Sequence, residues 1–273
     1  MSASEKFEKV LTASPPVRTL LEQYYRRRFF RSRGWQNLHY GVFNSFAEAR
    51  EEARRHHVTA HYELDHAEWL QSHLHLRLHD YPVLFWLEKL LTSTHRIVDL
   101  GGSVGVSYYS YSNRLAMAAG LEWLVLELPE VVARGREIAK ERHAFSLRFA
   151  DSFDGIDGGG ALLCAGALQF IEEPLPQLLQ RCKTPPVHLL INRIPMRAAS
   201  GYVTLQNTGQ AIAPSHVFCR ADFLGALTQL GYVLEDEWDC LENSLPLPFH
   251  PELSVPSYTG LYLRKSADAG VSH

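Results

Sequence analysis

The stretch that decides the fold of this chain is RIVDLGGSVGV, residues 96–106. An apolar strand that carries Asp99 runs into a turn containing Gly101, Gly102, Ser103 and Gly105. Because glycine has no Cβ, such a turn can bend sharply and approach a bound ligand closely. A strand, a glycine-rich turn and a helix are how open α/β sheets present nucleotide-like cofactors at the carboxyl ends of their strands. The spacing differs from the dinucleotide fingerprint G-x-G-x-x-G, and a tight turn without a ligand is the alternative.

A second acid follows at the spacing that such a cofactor site requires. Residues 108–119 are predicted to form a helix ended by Gly120, and the β-rich run 121–127 ends in Glu127. Glu127 lies 22 positions after Gly105 (127 − 105). These folds place a carboxylate on the ribose hydroxyls at a spacing of about 20 residues. We therefore expect Glu127 to bind a ribose, with a solvated acid at a strand end as the alternative.

The rest of the chain continues the alternation of strands and helices. Further helices are predicted at 129–141, 176–181 and 221–230, and further strands at 145–149, 161–167, 187–191, 232–238 and 258–263. This order predicts an α/β fold: a doubly wound, mostly parallel seven-stranded sheet with helices on both faces. Side chains that follow predicted strands are further candidates for the cofactor site: Leu128, Asp151, Ser152 and Gln169. The amides of Gln169 and Asn192 are expected to point into the crevice at the sheet edge.

The motif and the order of elements after it resemble class I S-adenosylmethionine (SAM)-dependent methyltransferases. Their E/D-x-G-x-G-x-G pattern corresponds here to D-x-G-G-S-x-G, with Ser103 in place of the middle glycine. From about residue 40, the chain also resembles a bacterial family of methyltransferases of unassigned substrate. The segments that carry this resemblance are GVFNSF (41–46), DYP (80–82), DLGGSVGVSYY (99–109), LQFIEEP (168–174), INRIP (191–195) and the stretch from 203 to 223. The resemblance implies a Rossmann-like fold, SAM as cofactor and methyl transfer to a small metabolite, in secondary metabolism.

The chain departs from that family at two places near the expected substrate site. Asn192 stands where an Asp is expected, and residues 210–217 lack the usual proline- and tyrosine-rich stretch. Azetidine-2-carboxylate synthases, which cyclise SAM and release methylthioadenosine, are similar to methyltransferases of this kind. Ser103 and Asn192 would leave the pocket polar without adding negative charge to hold the SAM ammonium. SAM cyclisation is therefore an alternative to methyl transfer, and a non-catalytic SAM-binding partner protein is another.

Candidates for the catalytic residues are His216, Asn192 and Tyr108. A sulfonium cation favours aromatic faces, and several aromatic residues are candidates by position: Tyr108, Tyr109, Phe153, Phe170 and Tyr202. Any one of them can equally be a core residue. His216, expected in an irregular stretch before the last helix, or a tyrosine is the expected proton-handling group.

The first 91 residues differ from the rest in composition and in hydrophobic pattern. They are charged and histidine-rich, with helical spacing at 46–55, 63–77 and 82–91. We expect three parts: a helical N-terminal lid (1–91) whose inner face includes Tyr62 and Trp69, a SAM-binding Rossmann-like domain (92–267) and a tail (268–273). Seven histidines lie between residues 56 and 79: His56, His57, His61, His66, His73, His75 and His79. His57 with His61 and His75 with His79 have i,i+4 spacing, but without H-E-x-x-H or a cysteine partner no metal is expected.

Composition limits the partners. The formal net charge is −3, and the only basic cluster lies at residues 26–33, so nucleic acid is not an expected partner. The chain has no run of about 20 apolar residues, and no signal-peptide core stands at its start. Four cysteines without C-x-x-C spacing indicate a reducing compartment. We expect a cytoplasmic monomer or homodimer that acts on a small molecule.

Overall fold

The structure, a computed structural model, describes residues 15–33, 37–56, 66–116, 120–209 and 211–266. The chain divides into two units. The larger unit comprises Leu64–Gly201, Val217–Ser244 and Ser257–His273. The smaller unit comprises Met1–Glu63, Tyr202–His216 and Leu245–Pro256.

The described residues form eleven strands and eight helices. The strands are β1 (Leu38–Phe43), β2 (Arg96–Leu100), β3 (Glu122–Leu126), β4 (Leu147–Ala150), β5 (Ala161–Ala165), β6 (His188–Ile194), β7 (Met196–Arg197), β8 (Tyr202–Asn207), β9 (Ile212–Cys219), β10 (Tyr232–Cys240) and β11 (Tyr258–Lys265). The helices are α1 (Pro15–Arg31), α2 (Phe46–Arg55), α3 (His66–Ser72), α4 (Asp80–Leu90), α5 (Val106–Tyr111), α6 (Pro129–Glu141), α7 (Leu175–Arg181) and α8 (Arg220–Gln229).

The larger unit is built on the seven-stranded sheet that the sequence predicted. Its strand order is β10-β11-β6-β5-β2-β3-β4. The strands from β6 to β4 in that order pair in parallel, and β11 runs antiparallel to both of its neighbours. After β2 the chain first adds β3 and β4 on one side and then β5 and β6 on the other. The topological switch point, where open α/β sheets bind ligands, therefore lies between the carboxyl ends of β2 and β5.

Helices cover both faces of this sheet. Successive strand residues point to opposite faces, so Ile97 packs in a cluster with Leu87 of α4, and Val98 packs in another with Leu178 of α7 and Leu227 of α8. A sheet that is buried on both sides needs apolar side chains at nearly every strand position. The run from residue 97 to 100 meets that need and confirms the doubly wound architecture.

The smaller unit is not purely helical. β1 pairs antiparallel with β8, and Phe29 of α1, Phe46 of α2 and Leu205 of β8 share one buried cluster. The end of β9, in the larger unit, pairs in parallel with β7. The expectation of an all-helical N-terminal region is therefore wrong for Leu38–Phe43.

The two units divide the chain elsewhere than at the expected boundary after residue 91. Residues 64–91 belong to the larger unit, because Leu70 of α3 packs with Val104 and Ile138 and Leu87 packs against the sheet. The lid role of residues 1–91 stays a prediction. The tail 268–273 and Tyr62 lie outside the described residues.

Two predicted helices are shorter in the structure. The helix predicted at 63–77 ends at Ser72, whose hydroxyl donates to the carbonyl of Trp69 at 2.8 Å. The helix predicted at 108–119 is Val106–Tyr111 in the described residues, and 117–119 lie outside them. In both places short side chain–backbone bonds compete with the next helical turn.

Candidate cofactor site

The turn after β2 has the conformation that its glycines predict. Gly101 (φ 69°), Ser103 (φ 53°) and Gly105 (φ 95°) are left-handed, and Gly105 precedes α5. A Cβ on Gly101 would overlap that of Ala167, in the loop after β5. The turn therefore lies against the β5 loop at the switch point, where only glycine permits such an approach.

Asp99, the acidic residue of the motif, is buried in the interior of the sheet. Its side chain is 0% exposed, and Trp123 Nε1 donates to Oδ2 at 3.0 Å. A Cβ on Gly102 would lie 2.5 Å from Asp99 Cγ, so the turn backbone lies directly on this carboxyl. Burial raises the pKa of Asp99 to about 7; the bond from Trp123 opposes the rise and the charge of Glu127 adds to it. Asp99 supports the turn from below, and its direct contact with a cofactor stays a prediction.

Glu127 links the glycine-rich turn to the end of β3. Ser103 N donates to Oε1 at 3.2 Å, and Leu128 N donates to Oε2 at 2.9 Å. Burial raises the pKa of Glu127, and these two backbone donors oppose the rise. Each carboxylate oxygen can accept more than one hydrogen bond. The group can therefore accept hydroxyls of a ligand while it holds the turn.

The other predicted cofactor residues follow β3, β4 and β5. Leu128 is 56% exposed, and Asp151 is exposed just after β4. Ser152 donates to Asp154 Oδ2 at 3.0 Å. Gln169 is buried after β5; its Nε2 donates to Gly166 O at 3.0 Å, and its Oε1 has no partner among the described residues.

Asn192 does not point into the crevice, and that expectation is wrong. The side chain is 0% exposed. Its Nδ2 donates to His79 O at 3.0 Å, and its Oδ1 accepts from Trp238 Nε1 at 3.1 Å and from Cys240 Sγ at 3.2 Å. Both halves of the amide are thus engaged in joining β6 to β10 and to the start of α4. The catalytic role suggested for Asn192 stays a prediction without geometric support.

The two remaining catalytic candidates lie in different units. Tyr108, on α5 of the larger unit, packs edge-to-face on Trp123 with ring centroids 5.9 Å apart. Burial raises the pKa of Tyr108. His216 lies in the smaller unit, with its ring 4.4 Å from that of Phe46. It belongs to the regular strand β9, so the irregular stretch expected there is wrong.

Sequence reasoning missed a cation at the carboxyl end of β6. Arg193 is half-buried with φ 60°, and its Nη2 donates to Ala165 O at the end of β5. The neighbouring His79 is buried, with Nδ1 2.9 Å from Glu242 Oε2. Burial and the charge of Arg193 lower the pKa of His79, while the acids Asp80 and Glu242 oppose that shift. The available signal was a charged residue two positions after the apolar run 189–191.

The pair His75 and His79 does not share a helix. His75 and His79 precede α4 and lie in turns, and His57 and His61 lie outside the described residues. Within the described ranges no group of three or more His, Cys, Asp or Glu residues could hold a metal ion. No helix there is long and apolar enough to cross a membrane.

Comparisons with known proteins give structural matches only. No family model and no curated protein matches the chain. Among solved structures, the chain is similar to the N-terminal domain of EvdMO1, crystallised in the presence of S-adenosylhomocysteine (SAH) and D-fucose: 16% identity, TM-score 0.48, covering 76% of this chain and 100% of that one.

Two further solved structures are methyltransferases. Geranyl diphosphate C-methyltransferase from Streptomyces coelicolor A3(2) is 15% identical with a TM-score of 0.47, over 68% of this chain and 76% of that one. A SAM-dependent methyltransferase from Clostridium acetobutylicum ATCC 824 is 10% identical with a TM-score of 0.45, over 75% and 93%. These likenesses are distant, and no residue role is taken from them.

Proposed function

We propose that this protein is a SAM-dependent methyltransferase that acts on a small metabolite. The observation that carries the proposal is the position of Glu127, whose carboxylate is bonded to the glycine-rich turn beside the switch point of the sheet. A carboxylate held at this place by two backbone donors is oriented before a ligand arrives. Vicinal ribose hydroxyls are the donors that suit it.

The residues around the switch point fit SAM. Gly101, Gly102 and Gly105 let the turn backbone pack directly against Ala167, Asp99 and Leu147, which fixes its conformation at the switch point. The orphaned Oε1 of Gln169, buried after β5, can accept a hydrogen bond from a ligand donor. When bound, SAM supplies an electrophilic methyl group on a sulfonium. The chain contributes binding, orientation and exclusion of water, which can lower a barrier by several kcal/mol when reacting atoms are held about 3 Å apart.

Three groups of residues share this work in our proposal. Glu127 accepts the ribose hydroxyls, and Leu128, Asp151 and Ser152 border the nucleoside at the ends of β3 and β4. Tyr108 and its aromatic neighbours shield the sulfonium, and His216 or a tyrosine accepts the proton of the acceptor. We place the enzyme in the cytoplasm and in secondary metabolism, as a monomer or homodimer.

Cyclisation of SAM to azetidine-2-carboxylate is the alternative, and it loses one of its two supports. Asn192 was expected to leave the pocket polar without adding negative charge, but both halves of its amide are bonded inside the protein. The other support is Ser103, whose backbone N–H donates to Glu127. That contact serves either chemistry equally well.

The products formed from SAM separate these functions. We would incubate the protein with methyl-labelled SAM, with and without a small-molecule extract, and analyse the products by mass spectrometry. A methyltransferase yields SAH and a labelled acceptor only when extract is present. Methylthioadenosine formed at enzymatic rate from SAM alone would instead establish cyclisation. Neither product from a protein that binds SAM would favour the non-catalytic partner.

A further inference from the structure

Arg193, at the carboxyl end of β6, has two features that each raise the free energy of the folded protein. Its φ of 60° is a left-handed conformation that non-glycine residues rarely adopt. Its guanidinium folds back over the end of β5, where Nη2 bonds Ala165 O and lies 2.9 Å from the place of a Cβ on Gly166. The side chain is thereby held over the loop whose Ala167 lies against Gly101.

The guanidinium also has no directly paired acid among the described residues. Within the part of the chain that the structure describes, Arg193 forms no ion pair, and its Nε is buried without a partner. Two acids lie near His79 without pairing directly with Arg193: Asp80 accepts from Tyr111 Oη at 2.8 Å, and Glu242 Oε2 lies 2.9 Å from His79 Nδ1. A half-buried cation without an anion is costly. Two such costs at one residue indicate a place that a ligand completes.

The strand order gives the chemistry of that ligand. Glu127 follows β3, the turn follows β2, and the guanidinium lies over the end of β5. Two strand spacings, about 10 Å, therefore separate the expected ribose from the guanidinium. In SAM, the atoms between the ribose and the α-carboxylate are C5′, the sulfur and the carbon chain of methionine, which cover a comparable distance when extended.

We propose that Arg193 binds the α-carboxylate of the methionine part of SAM, an inference that rests on the proposed function. The planar guanidinium presents paired N–H donors that match the two oxygens of a carboxylate. The ligand anion would then supply the counter-ion that the crevice lacks. This assigns the two ends of the cofactor to charged residues of opposite sign, Glu127 and Arg193.

The test compares SAH with 5′-methylthioadenosine, which has the same nucleoside but no amino-acid carboxylate. Calorimetry should show that Arg193→Gln lowers the affinity for SAH at least tenfold and changes the affinity for methylthioadenosine less than twofold. Arg193→Lys keeps the positive charge but lacks the paired N–H donors of the guanidinium, so its affinity for SAH should lie between those of wild type and Arg193→Gln. Arg264→Gln is the matched control, because Arg264 is an exposed arginine paired with Glu235 on the sheet surface.

Three outcomes would overturn the inference. Unchanged SAH binding by Arg193→Gln, with the wild-type protein binding SAH, would overturn it alone and leave the proposed function standing. Equal losses for SAH and methylthioadenosine would assign Arg193 to the structure of the site instead of to the carboxylate. A wild-type protein that binds neither nucleoside would overturn the proposed function together with the inference. If Arg193→Gln does not fold, Arg193→Lys decides the question by the same comparison of the two nucleosides.

Discussion

Asp99 lies in β2, and Glu127 directly follows the neighbouring strand β3. Their surroundings give the two carboxyl groups different roles. Asp99 is sealed beneath the turn, where burial raises its pKa to about 7. Glu127 is only partly buried and accepts from two backbone donors that stabilise its charge. The first carboxyl supports the turn, and the second remains available to a ligand.

The buried carboxyl makes stability depend on pH. The folded-state pKa of Asp99 is raised above its ordinary value of 3.8. The protonated carboxyl therefore contributes fully to the free energy of unfolding below pH 3.8, and this contribution is lost as the pH rises to about 7. Asp99→Asn removes the ionisation but retains an acceptor for Trp123. Between pH 4 and pH 8, we expect the free energy of unfolding of the variant to rise relative to that of wild type by on the order of 3 kcal/mol. Urea unfolding of both proteins across that range measures it, and parallel pH profiles would refute it.

Asn192 is a structural amide, and its replacement by the Asp expected from the resembled family should be costly. A carboxylate cannot donate to the carbonyl of His79, so the variant would bury two facing acceptors. We expect Asn192→Asp to lose about 3 kcal/mol of unfolding free energy at pH 7. Asn113→Asp, at an exposed position, is the control. Equal stability of Asn192→Asp and wild type would show that this amide does not hold β6 to its neighbours.

At the scale of the elements, the sequence predicted the sheet better than the smaller unit. All seven strands of the large sheet were found, because most are short apolar runs bounded by turn residues and β10 alternates exposed with more buried positions. The strands β8 and β9 were missed. Their buried positions include polar residues such as Thr204 and Ser215, which hide the alternation that marks a strand. Helix ends were missed where local side-chain bonds end the helix early.

The turn after β2 is the element on which the cofactor site depends, and a methyl group should disrupt it. Gly101→Ala combines a left-handed φ of 69° with overlap against Ala167. We expect it to lose about 2–3 kcal/mol of stability and to bind SAH poorly. Gly120→Ala is the matched control, since its φ is 86° but none of the described residues lies within 4 Å of the new Cβ. Its cost should be about 1 kcal/mol, from the backbone alone. Equal losses in the two variants would mean that the turn does not press on the β5 loop.

In the molecule as a whole, the candidate site draws on residues from 99 to 193, which lie at or near the carboxyl ends of the parallel strands. The half built from the local motif was predictable, since Glu127 and the glycine turn are fixed by spacing within one βαβ unit. The half built from β6 was not. Asn192 bonds His79, 113 positions away, and Trp238, 46 positions away. No local pattern encodes such pairings.

Ligand binding should also reach α3, because Leu70 packs on Val104 in the glycine-rich turn. We expect SAH to slow hydrogen exchange in α3 and, if residues 1–91 act as a lid, throughout residues 46–78. Exchange followed by mass spectrometry with and without SAH measures both. Protection confined to residues 96–106 would contradict the coupling to α3, and protection of α3 without residues 46–56 would limit the lid to the larger unit.

Binding of SAH by the Glu127→Ala variant tests the central claim most directly. In our proposal Glu127 accepts two charge-assisted hydrogen bonds from the ribose, each worth about 1.5–3 kcal/mol, and the substitution would remove them. Glu130→Ala, an exposed acid at the start of α6, is the matched control and should bind as wild type does. By calorimetry at pH 7, we predict that wild type binds SAH and that Glu127→Ala binds it at least tenfold more weakly while remaining folded. Equal affinity of wild type and Glu127→Ala for SAH would contradict the account.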